Sequence, residues 1–81
     1  MSKEIGKEYW VVKSRTEKGK LISIPMVLEE IKEYQNQKIY IFADGMEKFA
    51  SYNYEDKPDK RIDWNFLNEI NQKFIGVGIF D

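Results

Sequence analysis

The chain has 81 residues, of which 42% are hydrophobic and 15% aromatic, and it contains neither cysteine nor histidine. This length fits a single domain spanning residues 1–81, and the lack of cysteine excludes disulfides and thiolate metal sites. Thirteen basic and 14 acidic residues give a formal net charge of −1, which argues against a general binder of polyanions.

The beginning of the chain shows no export signal, and no segment approaches the roughly 20 apolar residues that a membrane-spanning helix needs. We therefore expect a cytoplasmic protein whose residues 1–7 form a frayed, polar end. Lysine, isoleucine, asparagine, tyrosine and phenylalanine are frequent, and all have AT-rich codons. Such a composition fits a low-GC bacterium or one of its phages.

A β-hairpin is predicted first. Residues 9–14 are mostly aromatic and β-branched, which favours a strand. Residues 15–19 form a polar loop in which Gly19 can adopt the positive φ of a hairpin turn. Residues 20–24 are then the returning strand.

An amphipathic helix is predicted next, from Pro25 to about Asn36. Pro25 suits a first helical turn, and Ser23 is placed to act as its N-cap. The apolar residues of this segment have helical spacing and are Val27, Leu28, Ile31 and Tyr34. The opposite face carries the acidic residues Glu29, Glu30 and Glu33.

A second hairpin is predicted from residues 38–43, which are apolar on both faces, through Asp44 and Gly45 to a partner strand at residues 47–54. A short helix is the alternative for this last segment, since Asp44 and Glu47 have the spacing of a capping box. The aromatic residues Phe49, Tyr52 and Tyr54 favour the strand.

The last elements are a charged loop at residues 55–61, a helix capped by Asp63, and a strand at residues 75–80. The helix has an apolar face formed by Trp64, Leu67, Ile70 and Phe74. Gly76 and Gly78 leave one face of the final strand bare, so that a neighbouring element can approach closely. The expected fold is α+β, in the order ββαββαβ, with two helices on a mixed or antiparallel sheet of about five strands.

Catalysis and cofactor binding are not expected. Without histidine or cysteine the chain lacks the commonest general base, the commonest metal ligand and the best thiol nucleophile. Glu29 and Glu33 are four residues apart on the predicted helix and could form an acid–base pair, but a solvated helix face explains them better. Acidic residues of the charged loop could suggest a cation site, although a polar loop with a helix cap is the better interpretation: Glu55, Asp56, Asp59 and Asp63.

The aromatic content favours a small, non-catalytic module that binds a partner protein, such as an inhibitor, adaptor or immunity-type protein. So many large rings are hard to bury in a domain of this size. The predicted polar contacts are the basic residues of the first hairpin and the acidic residues of the first helix: Lys13, Arg15, Lys18, Lys20, Glu29, Glu30 and Glu33. The predicted aromatic anchors are Tyr52 and Tyr54.

Two further associations are compatible with the sequence. Nucleic-acid binding is the alternative function, because basic residues on the first hairpin and strand aromatics could together hold a single strand. An exposed sheet edge could also pair two copies into a homodimer.

Overall fold

The computed structural model describes residues 3–56, 59 and 61–80. Four strands form one antiparallel sheet in chain order: β1 (Glu8–Arg15), β2 (Leu21–Tyr34), β3 (Gln37–Asp44) and β4 (Glu47–Tyr52). A 3₁₀ turn at Tyr54–Asp56 and the single α-helix of the described residues, α1 (Trp64–Phe74), follow. None of the helices in this part of the chain is long and apolar enough to cross a membrane.

The predicted ββαββαβ order, with two helices on about five strands, is therefore wrong. The first predicted helix is the second half of the long strand β2, and the predicted final strand is an irregular tail. Of the predicted frayed start, residues 1 and 2 lie outside the described residues, while Gly6 and Lys7 hydrogen-bond to Leu28. Residues 57, 58 and 60 of the predicted charged loop also lie outside them.

Burial along β2 shows why the helical spacing was misleading. Met26 and Leu28 are 1% and 0% exposed, whereas Val27 between them is 39% exposed, which is the alternation of a strand. A bulge between Leu28 and Glu30 then shifts the register by one residue. Because the bulge interrupts the period of two, the apolar positions on either side of it imitate helical spacing.

Pro25 is tolerated inside this strand because of where β3 ends. It pairs with Trp10 of β1, and the pairing of β2 with β3 extends only as far as Val27. The proline nitrogen has no hydrogen to donate, so it fits a strand where no neighbour needs that hydrogen bond. The same residue that suggested a helix start is thus accommodated by the unequal lengths of the strands.

Two tight turns connect the last three strands. Gln35 and Asn36 both have positive φ, 52° and 63°, between the paired residues Tyr34 and Gln37, as a type I′ turn requires. Gly45 has a φ of 62° in the turn between β3 and β4. The predicted second hairpin is therefore confirmed and its helical alternative is wrong, since β4 is a strand.

The tail after α1 packs on the helix instead of pairing with the sheet. Gly76 ends the helix with a φ of 94°, and its N–H donates to the carbonyl of Asn71 at 2.9 Å. The side-chain oxygen of Asn68 accepts from the N–H of Ile79 at 2.8 Å. The expected close approach occurs at Gly78, where an added Cβ would lie 2.5 Å from that Asn68 oxygen.

The core lies on both sides of β3, whose residues from Ile39 to Ala43 are all buried. Tyr52 is directly opposite Ile39 and packs edge-on against Phe66 of α1, with ring centroids 5.2 Å apart. The helix therefore covers the face that these residues share. On the other face Phe42 packs against Tyr9 of β1, 6.3 Å between ring centroids.

The sheet must curl to make these contacts. β1 and β4 are its opposite edges, and two strands separate them, which corresponds to about 14 Å in a flat sheet. Even so, Lys13 of β1 forms an ion pair with Glu47 of β4 at 3.2 Å and lies over the ring of Phe49. The inner face of the sheet is thereby closed by its own first strand.

The edge of β4 is closed by a side chain, that of Asn71. Its carboxamide oxygen accepts from the N–H of Ala50 at 2.9 Å, and its nitrogen donates to the carbonyl of Ala50 at 2.8 Å. The same nitrogen donates to the carbonyl of Leu67 one turn earlier in α1. Asn71 is 2% exposed, so it replaces the missing neighbouring strand in the interior.

The start of α1 is fixed by Asp63 and Tyr52. The Asp63 carboxylate accepts from the N–H of Phe66 at 3.1 Å, which confirms the predicted N-cap. The N–H of Asp63 donates to the Tyr52 hydroxyl at 2.7 Å. Burial raises the pKa of Tyr52 above the ordinary value of 10.0, against the smaller lowering effect of the hydrogen bond from the Asp63 N–H, and the Asp63 carboxylate adds to the increase.

Asn71→Leu should lower the free energy of unfolding by about 2–4 kcal/mol, because the N–H and carbonyl of Ala50 would stay buried without partners. Urea denaturation followed by circular dichroism measures the change. Asn65→Leu, at an exposed position of the same helix, is the matched control and should change stability by no more than about 0.5 kcal/mol. Equal unfolding midpoints for the two variants would contradict the role of Asn71.

Raising the pH above 10.0 should destabilise the protein through Tyr52. The folded chain holds this phenolic proton more tightly than the unfolded chain, so the stabilisation is complete below that pH and is lost as the pH rises through the raised pKa. Tyr52→Phe removes the acceptor of the Asp63 N–H and should lower the free energy of unfolding by about 1 kcal/mol at neutral pH. Its free energy of unfolding should then fall less steeply than that of the wild type as the pH rises above 10.0. Denaturant midpoints measured from pH 7 to 12 test this, and parallel declines for both proteins would refute it.

Candidate functional site

The predicted basic residues divide into two pairs. Lys13 and Arg15 are engaged by the fold itself: Lys13 pairs with Glu47, and the Arg15 guanidinium lies 5.3 Å from the ring centroid of Trp64. Lys18 and Lys20 lie at the end of the first hairpin, are exposed, and form no ion pair with any described residue. Only the second pair is thus fully available to a partner.

The turn that carries these two lysines is well ordered by backbone contacts. The N–H of Thr16 donates to the carbonyl of Lys20 at 2.8 Å, and the N–H of Gly19 donates to the carbonyl of Thr16 at 2.9 Å. The Thr16 hydroxyl in turn accepts from the N–H of Lys20. The lysine side chains therefore extend from a fixed turn, which lowers the entropy lost on binding.

The predicted acidic residues lie on a strand rather than on a helix face. Glu29 pairs with Lys48 at 3.5 Å, and Glu30 pairs with Lys32 at 3.6 Å. Glu33 is exposed near the end of β2. Because the segment is β2, the helical spacing of four that suggested an acid–base pair of Glu29 and Glu33 does not exist.

The predicted aromatic anchors contribute little exposed surface. Tyr52 is 4% exposed and belongs to the core, and Tyr54 is half-buried with its ring 5.9 Å from that of Tyr52. Burial also raises the pKa of Tyr54. The assignment of partner-binding residues stays a prediction, but the exposed aromatic surface lies elsewhere.

Trp10 was not among the predicted partner-binding residues, and its side chain is 73% exposed. The alternation of β1 carries the signal, since Val11 is 3% exposed and lies on the inner face. Trp10 must then point to the opposite face, where α1 packs against Tyr52 of β4 and against Tyr34 at the end of β2. Leu21 and Ile22, at the start of β2, are also exposed, at 51% and 43%.

A cleft lies between the end of the first hairpin and the start of α1, and we call it the tip cleft. Its volume is about 550 Å³, and its lining comprises Arg15, Gly19, Leu21, Asp59, Arg61, Ile62 and Trp64. Leu21, Ile62 and Trp64 give it an apolar floor. The Arg15 and Arg61 side chains give it a basic rim.

The acidic groups near the tip cleft are engaged by their neighbours. Asp59 accepts hydrogen bonds from the backbone N–H of Arg61 at 3.0 Å and from its guanidinium at 3.1 Å, and these contacts lower the pKa of the carboxyl. Asp63 caps α1. Among the described residues, no cluster of carboxylates has the arrangement of a metal site.

The chemistry that this arrangement offers is recognition: exposed aliphatic and aromatic carbon next to fixed positive charges. Comparison with known proteins gives no match: no family model fits the chain, and no curated protein and no solved structure is similar to it. Function is therefore inferred from the exposed residues alone.

Proposed function

We propose that this chain is a small protein-binding module that acts by occluding a partner protein, as inhibitors, adaptors and immunity-type proteins do. The observation that carries the proposal is the tip cleft, where exposed Leu21 lies at the end of the hairpin whose turn carries Lys18 and Lys20. Both lysines are exposed and form no ion pair with any described residue. Exposed apolar groups with a polar rim are typical of protein interfaces.

The charge of the site defines the partner. Arg15 and Arg61 line the cleft, the adjacent turn carries Lys18 and Lys20, and the neighbouring carboxylate of Asp59 is already paired with Arg61. A matching partner surface inserts an apolar side chain between acidic residues. Fixed turn geometry around Thr16 favours such a contact, because little backbone freedom is lost on binding.

Protein binding is favoured over nucleic-acid binding by the positions of the aromatic rings. Single-strand binders stack bases on exposed rings beside basic groups. Of the three rings on which that alternative relied, Tyr52 is in the core and Tyr54 is half-buried against it, so that Trp10 is the one exposed ring among them. Anisotropy of a labelled single-stranded DNA at low and high salt separates the two functions, since nucleic-acid binding would weaken steeply with salt.

Leu21→Ser should weaken capture of the partner by about tenfold or more, because this leucine fills the centre of the proposed contact. Tagged protein and nuclease-treated lysate of the source cells provide the assay, with the captured protein quantified. Ile31→Ser is the matched control: Ile31 is also an exposed aliphatic residue of β2, at 39%, but lies outside the tip cleft. Equal loss of capture for both variants, or for neither, would exclude the tip cleft as the site.

Lys18→Glu combined with Lys20→Glu should slow association with that partner by about tenfold and weaken its dependence on salt. The change acts mainly on the association rate because both residues are exposed at the rim. Lys38→Glu combined with Lys48→Glu makes the same change of net charge on β3 and β4. Association rates measured at several salt concentrations decide the matter, and the proposal fails if the two double variants behave alike.

A further inference from the structure

We propose that two copies of this chain associate through the outer edge of β1 and form one continuous antiparallel sheet. β1 pairs with β2 on its inner side, and no described strand lies along its outer side. The other edge of the sheet, on β4, is already occupied by Asn71. An edge of eight residues without a second paired strand is a template for a further strand.

The backbone groups that point outward from β1 follow from Pro25. In an antiparallel ladder, hydrogen-bonded pairs alternate with pairs that are not hydrogen-bonded. Trp10 is opposite Pro25, which has no N–H, so the backbone of Trp10 points to the outer edge. The N–H of Leu28 donates to Lys7 on the β1 side, which gives the same alternation. The backbone N–H and C=O groups of Glu8 and Val12 therefore also point to the outer edge, as those of Trp10 do.

The bulge in β1 adds Arg15 to this set. The ladder passes from Val12 opposite Ser23 to Ser14 opposite Ile22, so Lys13 is an extra residue. One extra residue shifts the alternation by one position. Four residues consequently direct their backbone N–H and C=O groups to the outer edge. Along the strand they are an acid, an aromatic, an aliphatic and a base: Glu8, Trp10, Val12 and Arg15.

The order of these four residues along β1 is self-complementary when β1 of a second copy runs antiparallel to it. With the twofold axis at Val11, Glu8 lies opposite Arg15 of the second copy, and Trp10 lies opposite Val12 of the second copy. Opposite charges and aromatic–β-branched neighbours are both favourable cross-strand pairs. The symmetry makes each pair occur twice.

The side chains of this edge are available for the contact. Trp10 is 73% exposed, and Glu8 forms no ion pair with any described residue. Arg15 is exposed although it lies over Trp64, and a guanidinium stacked on a ring keeps its edge N–H groups free for a carboxylate. The cleft beside Trp10 and Val11 is narrow, and residues 51–55 at the end of β4 form its opposite wall.

A mixing experiment tests the pairing and its register together. Sedimentation velocity of the wild-type chain should show a dimer whose fraction rises with concentration. Glu8→Arg and Arg15→Glu should each weaken that dimer by at least about tenfold, since each places like charges opposite one another twice. Mixing the two single variants should restore a one-to-one dimer, because the exchanged charges are then opposite each other.

Glu33→Arg makes the same charge change on β2 and should leave the dimer unchanged. Circular dichroism of each variant checks that the fold is retained. A wild-type chain that stays monomeric at the highest concentration would overturn the proposal, and so would single variants that dimerise as well as the wild type or show no preference for each other. The test measures self-association of the purified chain without the tip-cleft partner, and Glu8 lies outside the tip cleft although Arg15 lines it. The result for Glu8→Arg is therefore independent of the proposed function.

Discussion

The carboxamide of Asn71 is the contact on which the arrangement of helix and sheet depends. It satisfies both backbone groups of Ala50 at the edge of β4 and simultaneously binds the carbonyl of Leu67 in its own helix. An amide is suited to this position because it offers a donor and an acceptor in the geometry of a peptide group. Helix and strand are joined there by the same kind of hydrogen bond that joins strands, and no buried side-chain nitrogen or oxygen of the described residues lacks a partner.

The placement of α1 at this edge determines the rest of the surface. The helix covers one face of β3 and β4 through Phe66 and Tyr52, while the curled first hairpin covers the other face through Tyr9 and Phe42. The outward face of the first hairpin then has no covering element among the described residues. Its apolar side chains, Trp10 above all, are exposed because the single α-helix of the described residues packs at the opposite edge of the sheet.

The two proposed surfaces are therefore consequences of one asymmetry. One edge of the sheet is closed by Asn71, and the other is open with an alternating pattern that complements itself. The tip cleft arises where the same hairpin passes the start of α1, so that Leu21 and Trp64 face a common space. A partner in the tip cleft and a second copy along β1 use different residues, apart from Arg15 at their boundary.

The sequence by itself determined the elements whose signals are local. Asp63 caps its helix as predicted, because a carboxylate at that position meets the free N–H groups of the first turn. The apolar run of β3 and the glycine of its turn likewise specify a buried strand and a hairpin. Tertiary structure decided the remainder: Pro25 lies within a strand only because β3 ends before it, and Tyr52 is buried only because α1 packs over it. Such outcomes depend on the lengths and positions of distant elements, which local spacing does not contain.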